Sequence, residues 1–232
     1  MNFSARSDSL ELLDLPGIPA ADIQRNMFEL GIINKKLGGH AITWKGFSKL
    51  AKKGKGLEVC EIGCGGGDNL YAIEQKARAH YEGLSFTGID INPDCIHVAE
   101  KIIWKNHARF LVSDFRNVTF QSKPHIIFCS LFCHHFKEKE LIQMFRWMYE
   151  NSVYGFFISD LNRHPLAYHS IRLLTKLFSR SRLVKHDAPL SVLRGFKKNE
   201  LKELLNKAGI LNYTIQWNWA FRWLVIIHKE YV

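Results

Sequence analysis

The segment from Phe128 to Glu140, FCSLFCHHFKEKE, holds the densest group of reactive side chains in the chain. Cys129, Cys133, His134 and His135 could bind a metal, supply a general base, or pack. Tetrahedral coordination needs converging ligands, and the consecutive residues Cys133, His134 and His135 converge poorly. Cys129 lies in an apolar run, where a small thiol packs well. No metal site is therefore expected, and a histidine that accepts a proton near neutral pH is the chemistry that remains. A second pattern, VCEIGCGGGDN, places Gly63, Gly65 and Gly67 directly after an apolar run. Glycines there let the backbone turn sharply and approach a ligand closely. A nicotinamide-dinucleotide fingerprint would need glycine where Asp68 stands. Glu61 and Asp68 also sit badly beside a pyrophosphate. A ligand with a cationic centre suits this loop better. Asp90 could accept hydrogen bonds from two ribose hydroxyls, and Asp114, beside Phe115, from an adenine amino group.

The elements that must position these groups alternate between strands and helices. Apolar runs at 57–63, 84–91, 108–115, 125–132 and 153–161 read as strands. Helical patterns separate them from Asn69 to His80, over 93–106 and over 137–151. Repeated βα units with apolar strands imply a parallel sheet covered on both faces. The tail from Tyr213 holds two more strands, with a turn near Trp219 to Arg222, after a helix over 197–209. Before the first strand, 19–37 reads as a helix with Pro19 in its first turn, followed by a short helix and a basic linker to Gly56.

Residues 161–196 interrupt the alternation with a helix over 164–180 and a polar loop around Pro189. Nine Arg or Lys fall between Leu161 and Lys198 against the single acid Asp187, most of the chain's net charge of +10. That excess points to an anionic partner or a solvated basic face. The helix has a wide apolar face, with Leu166, Leu173 and Leu177 on one stripe and Arg172, Lys176 and Arg180 elsewhere. It is expected either to dock on the core or to act as a lid over an apolar tunnel with a basic mouth. Such a mouth suits a lipid-like or carrier-tethered anionic acceptor, or transient contact with an anionic membrane. No apolar stretch is long enough to span a bilayer. The five cysteines and an N-terminus without an apolar signal region suggest reduced thiols in the cytoplasm.

Glu61-x-Gly63-x-Gly65-x-Gly67, Asp90 and Asp114-Phe115 resemble the motifs of the class I S-adenosylmethionine-dependent methyltransferases. The resemblance runs from Leu57 to the C-terminus and includes the final strand pair. CSLFCHHF is similar to the strand-four segment of the ubiquinone/menaquinone-biosynthesis-like branch, which acts on small molecules. The block LELLDLP…INKKLGG is similar to methyltransferases encoded near polyketide synthases. The resemblance implies an α/β fold, a Rossmann-like seven-stranded mostly parallel sheet with helices on both faces and an antiparallel C-terminal strand. Residues 1–56 form an N-terminal helical extension in this reading, and 57–232 the methyltransferase domain with a lid insertion at 161–196. S-adenosylmethionine (SAM) is the implied cofactor, held by Glu61, Gly63, Gly65, Gly67, Asp90, Ile91, Asp114, Phe115, Ser130 and Leu131. The implied reaction is O- or C-methylation of a small apolar, phenolic or polyketide-like acceptor. His134, His135, His164 and His186 are the candidate bases, and Asp160 and Arg163 candidates for the substrate side. Two alternatives stay open. One is a nucleic-acid methyltransferase using the basic segment, although no Asn/Asp-Pro-Pro-aromatic segment or Pro-Cys nucleophile stands at the expected positions. The other is a SAM-binding protein without catalysis.

Overall fold

Strand-forming runs pair into one seven-stranded sheet in the computed structural model, which describes residues 2–52 and 56–229. In chain order the strands are β1 (Glu58–Ile62), β2 (Ser85–Asp90), β3 (His107–Val112), β4 (Ile126–Ser130), β5 (Gly155–Leu161), β6 (Tyr213–Asn218) and β7 (Arg222–His228). Their spatial order is β3-β2-β1-β4-β5-β7-β6. The first five run parallel, and β7 is antiparallel to both β5 and β6. The chain reverses direction across the sheet between β1 and β4, the place where a crevice opens beyond the strand ends.

The helices are α1 (Ala20–Lys36), α2 (Gly39–Leu50), α3 (Asp68–Ala77), α4 (Pro93–Glu100), α5 (Glu138–Asn151), α6 (Pro165–Phe178), α7 (Arg182–Arg194) and α8 (Lys198–Lys207). They cover both faces of the sheet, which is why β4 is apolar at nearly every position. Ile127 and Cys129 point to one core, with Leu141, Phe145 and Leu205 from α5 and α8. Ile126 and Phe128 point to the other, with Phe47, Leu70 and Ile73 from α2 and α3. Phe128 stacks on Phe157 across the strands at 4.7 Å. None of the described helices is long and apolar enough to cross a membrane.

Two sequence expectations need correction. The segment around Pro189 is helix, because Ser181 caps α7 by accepting from the Val184 N–H and Leu183, Val184, Pro189 and Val192 are all buried. Burial of that face outweighs the hydrogen bond that proline removes. The helix begun at Pro93 ends at Glu100, short of 106, because the Glu74 carboxylate accepts from the N–H groups of Lys105 (2.8 Å) and Asn106 (2.7 Å) and fixes that stretch as a loop. The N-terminal helices pack onto the sheet, and Phe47 of α2 is fully buried in its core. The expected basic linker lies partly outside the described residues, at 53–55.

Arg163 shows how the chain start is fastened. Its fully buried guanidinium donates to the carbonyls of Phe3 (3.0 Å), Ser4 (3.0 Å) and Gly195 (2.6 Å) and pairs with Glu200. It is a clasp, and its expected place on the substrate side is not where it lies.

Candidate active site

A cleft of about 860 Å³ opens at the carboxyl ends of β1, β2, β3 and β4. That is near the upper end of small-molecule sites, roughly 300–1,000 Å³. Gly63, Gly65, Asp90, Asp114, Ser130 and Leu131 form its inner wall. Its roof is the strap from Leu10 to Ile18 together with Ile23, Met27 and Leu30 on α1. No residue of 161–196 lines it, so the expected lid is not a lid. Instead α7 anchors the true roof. The Asp187 carboxylate accepts from the N–H groups of Leu12 (2.7 Å) and Leu13 (3.0 Å), and the Ser191 hydroxyl donates to Glu11 (2.8 Å).

At one end the backbone itself is the binding surface. Gly63 has φ +63°, and a Cβ there would come within 2.1 Å of the Phe132 ring. The Gly65 N–H donates to Asp90 Oδ2 (2.8 Å), and the Asn92 N–H to Oδ1 (2.9 Å). Burial pushes the Asp90 carboxyl up, and these two donors oppose it. Ile91 is largely exposed beside it at 71 %. The Asp114 carboxylate is gripped by the Arg116 guanidinium, which holds it below the usual range. Phe115 is buried edge-on against Phe132 and Phe136. Leu131 adopts φ +53°, a conformation rare for a branched side chain and common at functional sites. The Ser130 hydroxyl, in the cleft wall, is buried without a hydrogen-bond partner among the described residues. Carboxylate acceptors at two successive strand ends, a glycine cradle and an orphaned hydroxyl fit a nucleoside-bearing ligand.

Glu61 and Gly67 stand behind this wall and do not line it. Glu61 is fully buried, and that burial, with Asp68 nearby, pushes its carboxyl well up. Its Oε1 accepts from Asn69 Nδ2 (3.2 Å), and Asn69 in turn accepts from the Thr43 hydroxyl (2.9 Å). Gly67, at φ +76°, serves the turn into α3.

The four candidate histidines separate clearly. His134 is 2 % exposed, with Nδ1 2.8 Å from Asp160 Oδ1 and Nε2 3.4 Å from Glu11 Oε1. Burial disfavours its charge, but Asp160 and Glu11 outweigh burial and raise its pKa to about 9. A cation locked between two carboxylates cannot act as a base, so the expectation for His134 fails, as does that for Asp160 beneath it. His164 caps α6 by accepting from the Leu166 N–H (3.1 Å) and stacks on Phe221. His186 is exposed and pairs with Asp187 (2.7 Å), the carboxylate that anchors the strap. Neither lines the cleft. His135 does, and its Nδ1 lies 3.0 Å from Asp14 Oδ1. Asp14, which carries this pairing, belongs to the roof strap and gave no signal in the sequence.

The two histidine rings converge more than consecutive residues were expected to, with centroids 4.4 Å apart. Ligand atoms of Glu11, His134 and His135 all lie within 4.8 Å of one another. Around them His134 lies between Glu11 and Asp160, and Arg194 pairs with Asp14 (3.2 Å). All five cysteines are buried free thiols.

Residues 59–152 match the model of a family described as a methyltransferase domain. No curated protein sequence matches the chain. The solved plantazolicin methyltransferase BpumL, in complex with SAH, is similar at 17 % identity, over 90 % of this chain and 95 % of that one, with a TM-score of 0.64. Human N-acetylserotonin methyltransferase, in complex with SAM, is similar at 16 % identity over 91 % of this chain with a TM-score of 0.63; the likeness spans 56 % of that protein. A possible exported protein from Bordetella parapertussis is similar at 15 % identity, over 83 % of this chain and 67 % of that one, with a TM-score of 0.63. At these identities the likeness is one of fold. The family match runs from β1 to the end of α5, the part of the sheet that holds the glycine loop and both strand-end aspartates, so this stretch is similar to a methyltransferase domain.

Proposed function

We propose that the protein methylates a hydroxyl oxygen of a small, largely apolar acceptor, with His135 as the base and Asp14 as its positioning partner. The observation that carries this reading is the placement of His135 on the cleft wall with Asp14 on Nδ1. Asp14 holds the Nδ1–H tautomer, which leaves Nε2 as the proton acceptor. The nearest Glu11 oxygen is 3.8 Å from Nε2, beyond hydrogen-bonding reach, so that lone pair is not consumed. Leu10, Leu13, Phe132 and Phe136 surround this end of the cleft, which favours an aromatic or polyketide-like body over a strongly polar one.

SAM, when bound, brings a methyl group on an activated sulfonium centre. Gly63, Gly65, Asp90, Ile91, Asp114, Phe115, Ser130 and Leu131 are the residues that would hold it. The protein's own work is then orientation, exclusion of water by the strap, and removal of one proton. The named acceptors of the similar solved enzymes, plantazolicin and N-acetylserotonin, support a small-molecule or peptide-derived acceptor. The exposed cations of 172–185 lie away from the cleft, which does not favour nucleic acid as the substrate. The buried free thiols support a reducing, cytoplasmic setting.

His135→Gln tests the reading. With a phenolic acceptor panel, kcat is expected to fall about 10²–10⁴-fold, while calorimetry finds SAM affinity within about 2-fold of the native protein, since His135 stands at the acceptor end. Undiminished turnover in this variant would sink the proposal.

A further inference from the structure

We propose that the outer face of α6, together with the adjoining stretch of α1, docks on an anionic lipid surface. A helix on a folded domain ordinarily turns its apolar arc inward. α6 does not. Its buried residues are Ala167, Tyr168 and Thr175, whereas Leu166, Leu173, Leu177 and Phe178 are 62, 58, 63 and 79 % exposed. Arg172 and Lys176 run along the edge of this ridge, and Arg180, Arg182 and Lys185 continue around the turn into α7. All five are exposed, and none has an ion-pair partner among the described residues.

The ridge extends onto a second helix. Glu29 of α1 accepts from the Ser179 hydroxyl and from the N–H groups of Arg180 (3.0 Å) and Ser181 (2.9 Å). This brings the part of α1 bearing Phe28, 70 % exposed, and Ile32, 45 % exposed, to the end of α6. Arg25, Lys35 and Lys36 bracket them in the helix and are also exposed.

Charge complementarity selects the occupant. A second copy of the chain, paired face to face, would bring one set of uncompensated cations against the other. Nucleic acid would satisfy the cations but leave a ridge of leucines unused. A bilayer with anionic lipids answers both, accepting Leu and Phe at the acyl boundary while Lys and Arg reach the headgroups. The opposite side of α1 lines the cleft through Ile23, Met27 and Leu30, so docking would seat the cleft's roof near the lipid. That link to an apolar acceptor rests on the function proposed above; the docking itself does not.

Sedimentation with vesicles of phosphatidylcholine and phosphatidylglycerol, against phosphatidylcholine alone, tests it without any methyl transfer. The native chain is expected to pellet with the mixed vesicles only, less so as salt rises. Replacing Arg172, Lys176, Arg180 and Arg182 by Gln should weaken partitioning at least about 100-fold. Leu173→Ser with Leu177→Ser should also abolish pelleting, with an unchanged thermal midpoint and unchanged SAM binding. Failure to pellet, equal pelleting with neutral vesicles, or pelleting indifferent to both variants overturns the proposal. So does a dimer in solution that the double serine variant dissociates, which would assign the face to a second copy. Loss of SAM binding in the native chain, by contrast, would overturn the enzymatic reading and leave the docking intact.

Discussion

Asp90→Ala is expected to weaken SAM binding by about 100-fold or more. Asp90 does two jobs with one carboxylate. It fixes the glycine loop and the start of α4 by accepting from the N–H groups of Gly65 and Asn92, and it keeps further lone pairs for a ligand in the cleft it lines. Hydrogen bonds to charged groups are worth about 1.5–3 kcal/mol each. Losing those to a ribose therefore removes about 3 kcal/mol, a factor on the order of 100 in Kd. Alanine also frees the Gly65 N–H, so the loop, at φ +50° there, loses the contact that sets its path. Asp90→Asn should bind with intermediate affinity, because its amide NH₂ can face one of those donors only by turning its own donor toward it. Isothermal calorimetry with SAM reads both variants. Binding of the alanine variant within about 3-fold of native would place the ribose elsewhere.

The inner wall of the cleft was legible in the sequence because short-range features encode it. Strands covered on both faces must be apolar runs, and a carboxylate at the end of such a run, like Asp90 or Asp114, has little choice but to face the crevice. The roof was not legible. Residues 10–18 follow no helical or strand period, and what holds them is distant in sequence: Asp187, Ser191 and Arg194 reach back to Leu12, Glu11 and Asp14. The apolar stripe of α6 was visible, but a stripe does not say whether core, substrate or solvent lies against it. Nor could spacing separate His134 from His135. Their different fates depend on Asp160, which β5 places directly beneath one of them and not the other.

That placement makes Asp160→Ala the most destabilising single change expected here. Asp160 and His134 are 1 % and 2 % exposed, and removing one partner of a buried pair leaves the other charge uncompensated, at a cost of about 3–5 kcal/mol. The pH profile distinguishes this from simple loss of packing. In the native protein the folded pKa of His134, about 9, lies above its ordinary 6.5. Its contribution is therefore fully present below about pH 6.5 and is lost as pH rises through about 9. Asp160 is shifted the other way, down from the usual carboxylate range, so its contribution is present above that range and lost as the solution is acidified through it. In Asp160→Ala the chief force raising the imidazole is gone while burial and the weaker pull of Glu11 remain, so protonation stabilises the fold far less. The stability of the native protein should fall from about pH 6.5 toward 9, whereas in the variant this fall should be much shallower. Adding His134→Leu to Asp160→Ala should recover part of the loss, since an apolar side chain needs no counter-charge in that site. A variant with the native pH slope, or a cost below about 1 kcal/mol, would mean that the pair is not the electrostatic centre described here. Glu11 keeps contact with the ring in Asp160→Ala, and the same experiment on Glu11→Gln should give the smaller version of this shift, while only Glu11→Gln should also loosen the strap that Glu11 bonds to Ser191.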